Sequence, residues 1–185
     1  TYTIRASAAG YEDVDASDRI PFPVAIVSAS LKDSIPAEYD QYMNEVTFQL
    51  NDPGNEENYY SVYVVYRYKD AFTDTMESIV YCDSEDPAVE SGYGQLFFTD
   101  RLFNGKTYTL KVTFYAGYSI EQVVWEGYTL ALRSVSKSYF LYGKTYSKYL
   151  DTHGNPFAEP VLVYNNINNG FGVFAGYSET KFALQ

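Results

Sequence analysis

The stretch Thr107-Tyr108-Thr109-Leu110-Lys111-Val112-Thr113-Phe114 alternates between polar and apolar side chains along its whole length. Successive residues of a β-strand point to opposite faces of a sheet, so this period of two predicts a strand with one face in the core and one in solvent. We expect the inward face to carry Tyr108, Leu110, Val112 and Phe114. The turn-forming pair Asn104-Gly105 lies just before the stretch and marks where the strand begins.

Strand-like runs of similar length lie on both sides of this stretch. Run 59–68 carries large residues on both faces, which favours a central position in a sheet. The other runs after residue 22 are 24–31, 46–50, 76–82, 93–98, 123–132, 161–164 and 171–176, and the acidic loop 83–90 is expected to be solvated. These runs predict that residues 23–185 form a mainly β domain, either an antiparallel β-sandwich or a partly closed barrel of about eight strands.

One segment departs from the strand pattern. Tyrosines and small or apolar residues recur at spacings of three and four, at Tyr139, Tyr142, Gly143, Tyr146, Tyr149 and Leu150. This spacing predicts one packed amphipathic helix over about residues 137–150, with Ser136 or Ser138 as its N-cap and His153-Gly154 as its stop. A tyrosine stripe at this spacing is more often packing than ligand contact.

The first 22 residues form a separate unit in the sequence. Runs 1–8 and 12–19 are strand-like and flank a turn at Ala9-Gly10-Tyr11. The two prolines of Ile20-Pro21-Phe22-Pro23 then interrupt strand pairing, as expected of a domain boundary. We interpret residues 1–22 as the C-terminal hairpin of an upstream β domain. Because the chain opens inside a strand-like run, we expect it to be a piece of a longer protein.

Composition and charge exclude several function classes. The formal net charge is −11, and an acidic surface repels phosphate backbones and anionic lipid headgroups. Nucleic acid is therefore not an expected partner. No apolar run reaches the length of about 20 residues that spans a bilayer.

The chain has one histidine, His153, and one cysteine, Cys82. A histidine-based triad or histidine metal site would have to use His153, and a single thiol cannot build a disulfide or a cysteine zinc site. Cys82 follows an alternating run and has no cationic neighbour, so we interpret it as a packed, inert thiol. We predict no cofactor and no catalytic residue.

Carboxylates are the remaining candidates for chemistry. Seven are candidates, most of them in loops, at Asp52, Glu56, Glu57, Asp83, Glu85, Asp86 and Glu159. A glycosidase needs two carboxyl groups facing each other across a site, which no spacing in this sequence indicates. The segments Asn51–Glu57 and Asp83–Asp86 could supply oxygen ligands to a calcium ion, through Asp52, Asp83 and Asp86. These are weak candidates, because neither segment has EF-hand spacing. Solvated surface charge is the simpler interpretation of both segments.

Aromatic residues are the candidates for ligand binding. Trp125, Tyr128, Tyr115 and Tyr118 lie in and around one predicted strand pair. Ring faces are apolar while a phenol hydroxyl can pair with polar groups, so such residues can form a stacking platform for sugars or peptides. The alternative is a tyrosine-rich core and rim without a ligand.

Four segments together resemble a known family. They are Ile20-Pro21-Phe22-Pro23, Asn51-Asp52-Pro53-Gly54-Asn55-Glu56-Glu57-Asn58-Tyr59-Tyr60, Phe103-Asn104-Gly105-Lys106-Thr107-Tyr108, and Asn155-Pro156-Phe157-Ala158-Glu159-Pro160-Val161 with Gly170-Phe171-Gly172-Val173-Phe174-Ala175-Gly176-Tyr177. In this order they resemble the domain of unknown function 4249 family of Bacteroidetes, over nearly the whole chain.

The resemblance implies a context rather than a site. Family members resemble outer-membrane lipoproteins with a signal peptide, a lipidated cysteine and an immunoglobulin-like domain upstream, and they accompany TonB-dependent receptors. Residues 1–22 would then be the remnant of that immunoglobulin-like domain. Cys82 lies mid-chain and is not the lipidated cysteine. The family brings no catalytic residues to transfer.

We therefore expect a non-catalytic cell-envelope lipoprotein fragment. Its first expected role is an accessory or ligand-binding component beside an outer-membrane TonB-dependent transporter, with membrane contact only through a lipid anchor outside this fragment. The face of the outer membrane, periplasmic or external, stays open. One alternative is a structural or adhesive surface module that binds a protein, and the last alternative is a carboxylate-dependent glycoside hydrolase.

Overall fold

The computed structural model describes residues 1–37, 42–70, 75–91, 95–115 and 123–184. These ranges contain twelve strands and one α-helix: β1 (Tyr2–Ala6), β2 (Val14–Asp18), β3 (Ile26–Pro36), β4 (Tyr42–Asn51), β5 (Tyr59–Asp70), β6 (Thr75–Val80), β7 (Cys82–Asp83), β8 (Val89–Ser91), β9 (Leu96–Thr99), β10 (Thr107–Tyr115), β11 (Val123–Val135), α1 (Lys137–Thr152) and β12 (Tyr177–Leu184). A 3-10 turn, Asp100–Leu102, follows β9. The helix in these ranges is too short and too polar to cross a membrane.

Ten of the strands form two antiparallel sheets. The order is β3-β4-β10-β7 in the smaller sheet and β12-β11-β5-β9-β8 in the larger one, where β6 also pairs with β5. In neither sheet does the last strand pair with the first. Of the two architectures that the sequence predicts, a sandwich and a partly closed barrel, the described residues therefore form the sandwich. Strand β5 pairs with β11 on one side and with β9 and β6 on the other, which confirms its expected central position.

The main core fills the space between the two sheets. Strand β10 contributes Leu110, Val112 and Phe114, which are buried as its alternation predicts, while Tyr108 is partly buried beside them. The facing sheet contributes buried side chains from β5, β9 and β11, namely Tyr60, Val62, Val64, Leu96, Phe98, Tyr128, Leu130 and Leu132. Both sheets thus place their apolar faces in one layer, as expected for a sandwich.

Helix α1 covers part of the outer face of the larger sheet. Phe140 from the helix and Tyr59, Phe97 and Val135 from the sheet form a second buried cluster. The Phe140 ring centroid lies 5.1 Å from that of Tyr59 and 6.1 Å from that of Phe97. Strand β5 therefore buries side chains on both faces, one toward the other sheet and one toward the helix.

The ends of the helix follow the capping signals in the sequence. Of the two predicted serines, Ser136 is the N-cap, and its Oγ accepts a hydrogen bond from the backbone N–H of Tyr139 at 3.2 Å. The helix continues to Thr152, two residues beyond the predicted end, and His153 is the C-cap. Gly154, with φ +84°, turns the chain away in the left-handed region.

The hairpin β1–β2 is held by the C-terminal part of the chain. Asp18 in β2 accepts hydrogen bonds from the Ser136 hydroxyl and, at 3.3 Å, from the backbone N–H of Gly176. The backbone carbonyl of Asp15 accepts one from the N–H of Asn168 at 2.8 Å. All five side chains of β1 are exposed. The division into a hairpin 1–22 and a domain 23–185 stays a prediction.

Two strands predicted near the end of the chain are wrong. Segments 161–164 and 171–176 lack strand pairing, and the last strand is β12. Asparagine side chains satisfy the backbone there: Asn166 Nδ2 donates to the carbonyl of Phe174 at 2.8 Å, and Asn166 Oδ1 accepts from its N–H at 2.9 Å. Such local bonds compete with a sheet ladder, because they occupy the same backbone groups.

Candidate functional site

The four aromatic residues predicted as a ligand platform have different environments. Tyr115 ends β10 with 54% of its surface exposed. Tyr128 is buried, with its ring edge-on to Phe114 at a centroid distance of 4.8 Å and its hydroxyl accepting a hydrogen bond from Asn44 Nδ2 at 3.0 Å. Tyr118 and the side chain of Trp125 lie outside the described residues. Ligand contact by this set stays a prediction, and of its members Tyr115 lines a surface cleft.

That cleft, of about 600 Å³, lies at the acidic end of the smaller sheet. Asp83 and Asp86 line it, but both carboxylates cap the local turn. Asp86 Oδ1 accepts from the Tyr108 hydroxyl at 2.7 Å and from the N–H of Ala88 at 2.8 Å, and Asp83 Oδ1 accepts from the N–H of Ser84 at 2.7 Å. Within the described ranges, no group of three or more histidine, cysteine or acidic side chains is arranged to hold a metal ion.

The acidic loop is less solvated than the sequence suggests. Ala88 is buried, and β8 begins at Val89 and pairs with β9. The turn at Asp86 directs the loop back toward the sheet, because the carboxylate accepts from the N–H of Ala88 and the backbone carbonyl accepts from the N–H of Val89. The expectation of a fully solvated loop is wrong at these positions.

Asp52 is buried and serves two adjacent turns. Its Oδ1 accepts from the Tyr60 hydroxyl at 2.5 Å, and its Oδ2 accepts from the N–H groups of Gly54 at 3.1 Å and Gly105 at 2.8 Å. Burial and the Asp52 carboxylate raise the pKa of Tyr60. A weak calcium candidate in the sequence is thus a carboxylate whose two oxygens both bind protein donors.

A second buried carboxylate, Asp100, lies in the 3-10 turn. Its Oδ2 accepts from the backbone N–H of Asn58 at 2.9 Å and from Asn58 Nδ2 at 3.3 Å. Desolvation raises the pKa of Asp100, and the nearby charge of Asp52 adds to the effect. Neither carboxyl group lines the cleft at the acidic end of the smaller sheet or the cleft beside α1, so both are bound into the structure rather than presented to a substrate.

The other acidic candidates lie at the surface. Glu57 accepts a hydrogen bond from the Tyr59 hydroxyl at 2.6 Å and one from Arg101 Nε at 3.3 Å. Hydrogen bonding by Tyr59 lowers the pKa of Glu57. Glu56 pairs with Arg19 at 2.7 Å, and both Glu85 and Glu159 are exposed. These contacts fit surface charges in solvent.

A second cleft, which we call the helix cleft, lies between α1 and the chain that precedes β12. Its volume is about 350 Å³, and it is lined by Gln95, Phe97, Tyr139, Tyr142, Gly143, Tyr146, Ser147, Leu150, Val173 and Ala175. Six of these residues come from one face of α1, at the spacing of three and four that the sequence shows. The volume is within the range of small-molecule sites, and the lining is mostly apolar, as in such sites.

Gly143 allows the helix to lie close to the sheet at the floor of the helix cleft. A Cβ atom at this position would lie 2.2 Å from Cζ of Phe97 and 2.7 Å from both of its Cε atoms. Phe97 is buried, so its ring cannot move freely away. The glycine among the tyrosines therefore has a steric reason, which is the close approach of α1 to β9.

Two tyrosines that line the helix cleft, Tyr142 and Tyr146, belong to a stacked series along α1 that continues to Tyr149 outside the cleft. The rings of Tyr142 and Tyr146 lie 5.6 Å apart at an interplanar angle of 6°, and those of Tyr146 and Tyr149 lie 6.3 Å apart at 20°. The hydroxyl groups of these three tyrosines make no hydrogen bond to any described residue. The series thus offers flat ring surfaces and open hydroxyl groups together.

Ser147 adds a buried polar group to the cleft. The residue is only 6% exposed, it lines the cleft, and its hydroxyl makes no hydrogen bond to a described residue. Among the described residues the solvent-inaccessible side-chain polar atom without a partner is Ser178 Oγ, so the Ser147 hydroxyl still reaches water from the cleft. Ser147 is therefore a group that a bound molecule can satisfy.

The start of the helix cleft is fixed by an ionic network. Arg133 in β11 donates from Nε to Glu179 at 2.7 Å and from Nη1 to the Tyr139 hydroxyl at 3.1 Å. Its guanidinium carbon lies 4.2 Å from the ring centroid of Tyr177. These contacts hold Tyr139, so the first lining residue of the helix has a fixed position.

The helix wall of this cleft could be found in the sequence, and the opposite wall could not. The helical spacing of the tyrosines is visible, although packing is its simpler interpretation. The opposite wall, Val173 and Ala175, lies in a segment that the sequence predicts as a strand. The signal that could have indicated the cleft is Gly143, a poor helix former placed among large aromatics.

A protein-family model described as "Domain of unknown function (DUF4249)" matches residues 1–183 of the chain. No curated protein and no solved structure matches the chain.

Proposed function

The chain belongs to the DUF4249 family, and from this premise we propose that it is a non-catalytic, ligand-binding component of the cell envelope. In this proposal the chain is part of an outer-membrane lipoprotein and acts as an accessory to a TonB-dependent transporter. The helix cleft receives the ligand. The envelope context rests on the resemblance to Bacteroidetes lipoproteins, and the binding role rests on the cleft.

The observation that supports binding is the helix cleft itself. It combines a volume of about 350 Å³, stacked tyrosines with open hydroxyls, and the Ser147 hydroxyl, which faces the cleft without a protein partner among the described residues. A site with a mostly apolar lining and a few polar groups to orient the ligand is the usual form of a small-molecule pocket. The buried carboxylate of Asp52 binds protein donors through both oxygens, and that of Asp100 binds Asn58 through Oδ2, which supports a non-catalytic role.

A neutral fluorescent probe, N-phenyl-1-naphthylamine, tests whether the cleft binds small apolar rings. We expect saturable binding to the wild-type protein. Ala175→Trp adds a large side chain to the cleft wall and is expected to weaken binding at least tenfold. The matched control, Ala183→Trp, makes the same change at an exposed position of β12 outside the cleft and should leave binding unchanged. Absence of saturable binding, or equal binding by both variants, would contradict the role of the cleft.

A second candidate, the protein-binding surface module, is supported by exposed apolar side chains. Phe157, Leu162 and Phe171 are 95%, 90% and 100% exposed, which is unusual for large apolar residues. Isolation of the full-length lipoprotein from its native envelope tests the accessory role. Stoichiometric recovery of a TonB-dependent receptor supports the accessory role, whereas a monomer without a partner counts against it.

A further inference from the structure

We propose that the helix cleft binds a neutral saccharide, with one sugar ring lying against the tyrosine series and its hydroxyls bonded to Ser147 and the tyrosine hydroxyls. This inference rests on the proposed binding function and names the chemical class of its ligand. Three properties of the cleft lead to it: the absence of charge, the flat ring surfaces and the unpaired hydroxyls.

The lining of the cleft is uncharged. None of its ten described lining residues is acidic or basic. Lys144, which lies on the same helix, pairs instead with Glu90 in β8. A charged ligand would lose its hydration in the cleft without gaining an opposite charge, which is strongly unfavourable. The cleft therefore selects against ionised ligands such as phosphates, amino acids and uronic acids.

The tyrosine rings provide a surface that fits the apolar face of a sugar ring. Tyr142 and Tyr146 are nearly parallel, and Tyr146 is 41% exposed. A pyranose ring has a face of C–H groups and a rim of hydroxyls. Apolar contact with a flat ring face buries the C–H groups, and the phenol hydroxyls at the ring edges remain available to the rim.

The unpaired hydroxyls distinguish a saccharide from a hydrocarbon. The Ser147 hydroxyl opens to the cleft, and a fatty acyl chain that covered it would displace its water and leave it without any partner. A buried polar group left unpaired costs about 1–3 kcal/mol, so a site of this kind discriminates against ligands that lack hydrogen-bonding groups. A serine hydroxyl both donates and accepts, as sugar hydroxyls do.

Titration calorimetry with neutral disaccharides tests the inference. We use maltose, cellobiose and N,N′-diacetylchitobiose as probes, with galacturonic acid dimer as the charged comparison. We expect at least one neutral disaccharide to bind and the charged dimer to bind at least tenfold more weakly. Equal or tighter binding of the charged dimer would overturn the argument from the uncharged lining.

Two variants connect the binding to the cleft hydroxyls. Ser147→Ala and Tyr146→Phe each remove one hydroxyl and keep the apolar lining. We expect each to weaken disaccharide binding about tenfold and to change the binding of N-phenyl-1-naphthylamine less than twofold. Binding of the naphthylamine with no disaccharide binding overturns the saccharide inference alone. Loss of both overturns the proposed function as well. Disaccharide binding that is unchanged in both variants and in Ala175→Trp shows that the sugar binds elsewhere, which also overturns the inference.

Discussion

Replacement of Asp52 by alanine should destabilise the protein far more than an ordinary loop substitution. The carboxylate accepts three hydrogen bonds, from the Tyr60 hydroxyl at 2.5 Å and from the N–H groups of Gly105 at 2.8 Å and Gly54 at 3.1 Å. Alanine removes all three acceptor contacts. The hydroxyl of Tyr60, a residue with no exposed surface, would then be buried without a partner.

The magnitude follows from those three donors. A buried donor left unpaired costs about 1–3 kcal/mol. We assign about 2 kcal/mol to the Tyr60 hydroxyl and about 1 kcal/mol to each of the two N–H groups, because the turn lies near the surface and water can reach them in part. The sum, about 4 kcal/mol, is a large part of the roughly 5–15 kcal/mol that stabilises a typical domain.

Urea unfolding followed by far-UV circular dichroism measures this effect. With a slope of about 2 kcal/mol per molar urea, the Asp52→Ala midpoint should fall by about 2 M. The matched control is Asp33→Ala, the same change at an exposed position of β3, which should alter the free energy of unfolding by less than about 0.5 kcal/mol. An Asp52→Ala midpoint within about 0.5 M of the wild-type value would refute the reasoning.

A second substitution tests whether Tyr60 is the main partner. In the wild-type protein, Tyr60→Phe removes a hydrogen bond to a charged group and should cost about 1.5–3 kcal/mol. In the Asp52→Ala background the same change removes a hydroxyl that is already unpaired, so it should be neutral or stabilising. Equal costs in both backgrounds would mean that the two side chains are not coupled.

Three further predictions concern separate residues. Gly54→Ala would place a Cβ 2.4 Å from the Cα of Gly105, so it should lower the melting temperature more than Gly10→Ala, which also has positive φ but no atom within 4 Å; equal losses would contradict this. Burial raises the pKa of Cys82 to about 11, so the thiol should not react with Ellman's reagent at about pH 8 until the protein is unfolded, and rapid reaction of the folded protein would argue against the packing. Desolvation raises the pKa of Asp100 above its ordinary value of 3.8. Its stabilising contribution is therefore complete below that value and decreases as the pH rises through the folded pKa, so Asp100→Asn should become more stable relative to wild type from about pH 4 to pH 7, and a constant difference would contradict this.

The sequence predicts best those strands in which each face meets one kind of environment along its whole length. Strand β10 alternates because one face meets the core and the other meets solvent, and β5 has large residues on both faces because the other sheet and the helix cover it. The helix could be predicted for the same reason, since its spacing and the Ser136 cap are local features. These patterns require no knowledge of distant residues.

The sequence could not predict features that depend on distant partners. Segments 161–164 and 171–176 have strand-like composition, but Asn166 binds the backbone of Phe174 in place of a ladder. Asp52 appears in the sequence as a loop acid, and only the meeting of two turns makes it a buried acceptor. The helix cleft needs Val173 and Ala175 opposite the tyrosines, and no local spacing indicates that contact.

The bond between Asp18 and Ser136 has a mechanical consequence. One carboxylate links β2 to the first turn of α1, and the same carboxylate holds the N–H of Gly176, directly after the cleft wall residue Ala175. One side chain of the first strands is therefore bonded to both walls of the cleft, beside the separate bond between Asp15 and Asn168. If that carboxylate were removed, the Ser136 cap would keep its bond to Tyr139, and the helix start would stay connected to the opposite wall through the hydrogen bond from the Ser136 N–H to the Gly176 carbonyl, at 2.9 Å.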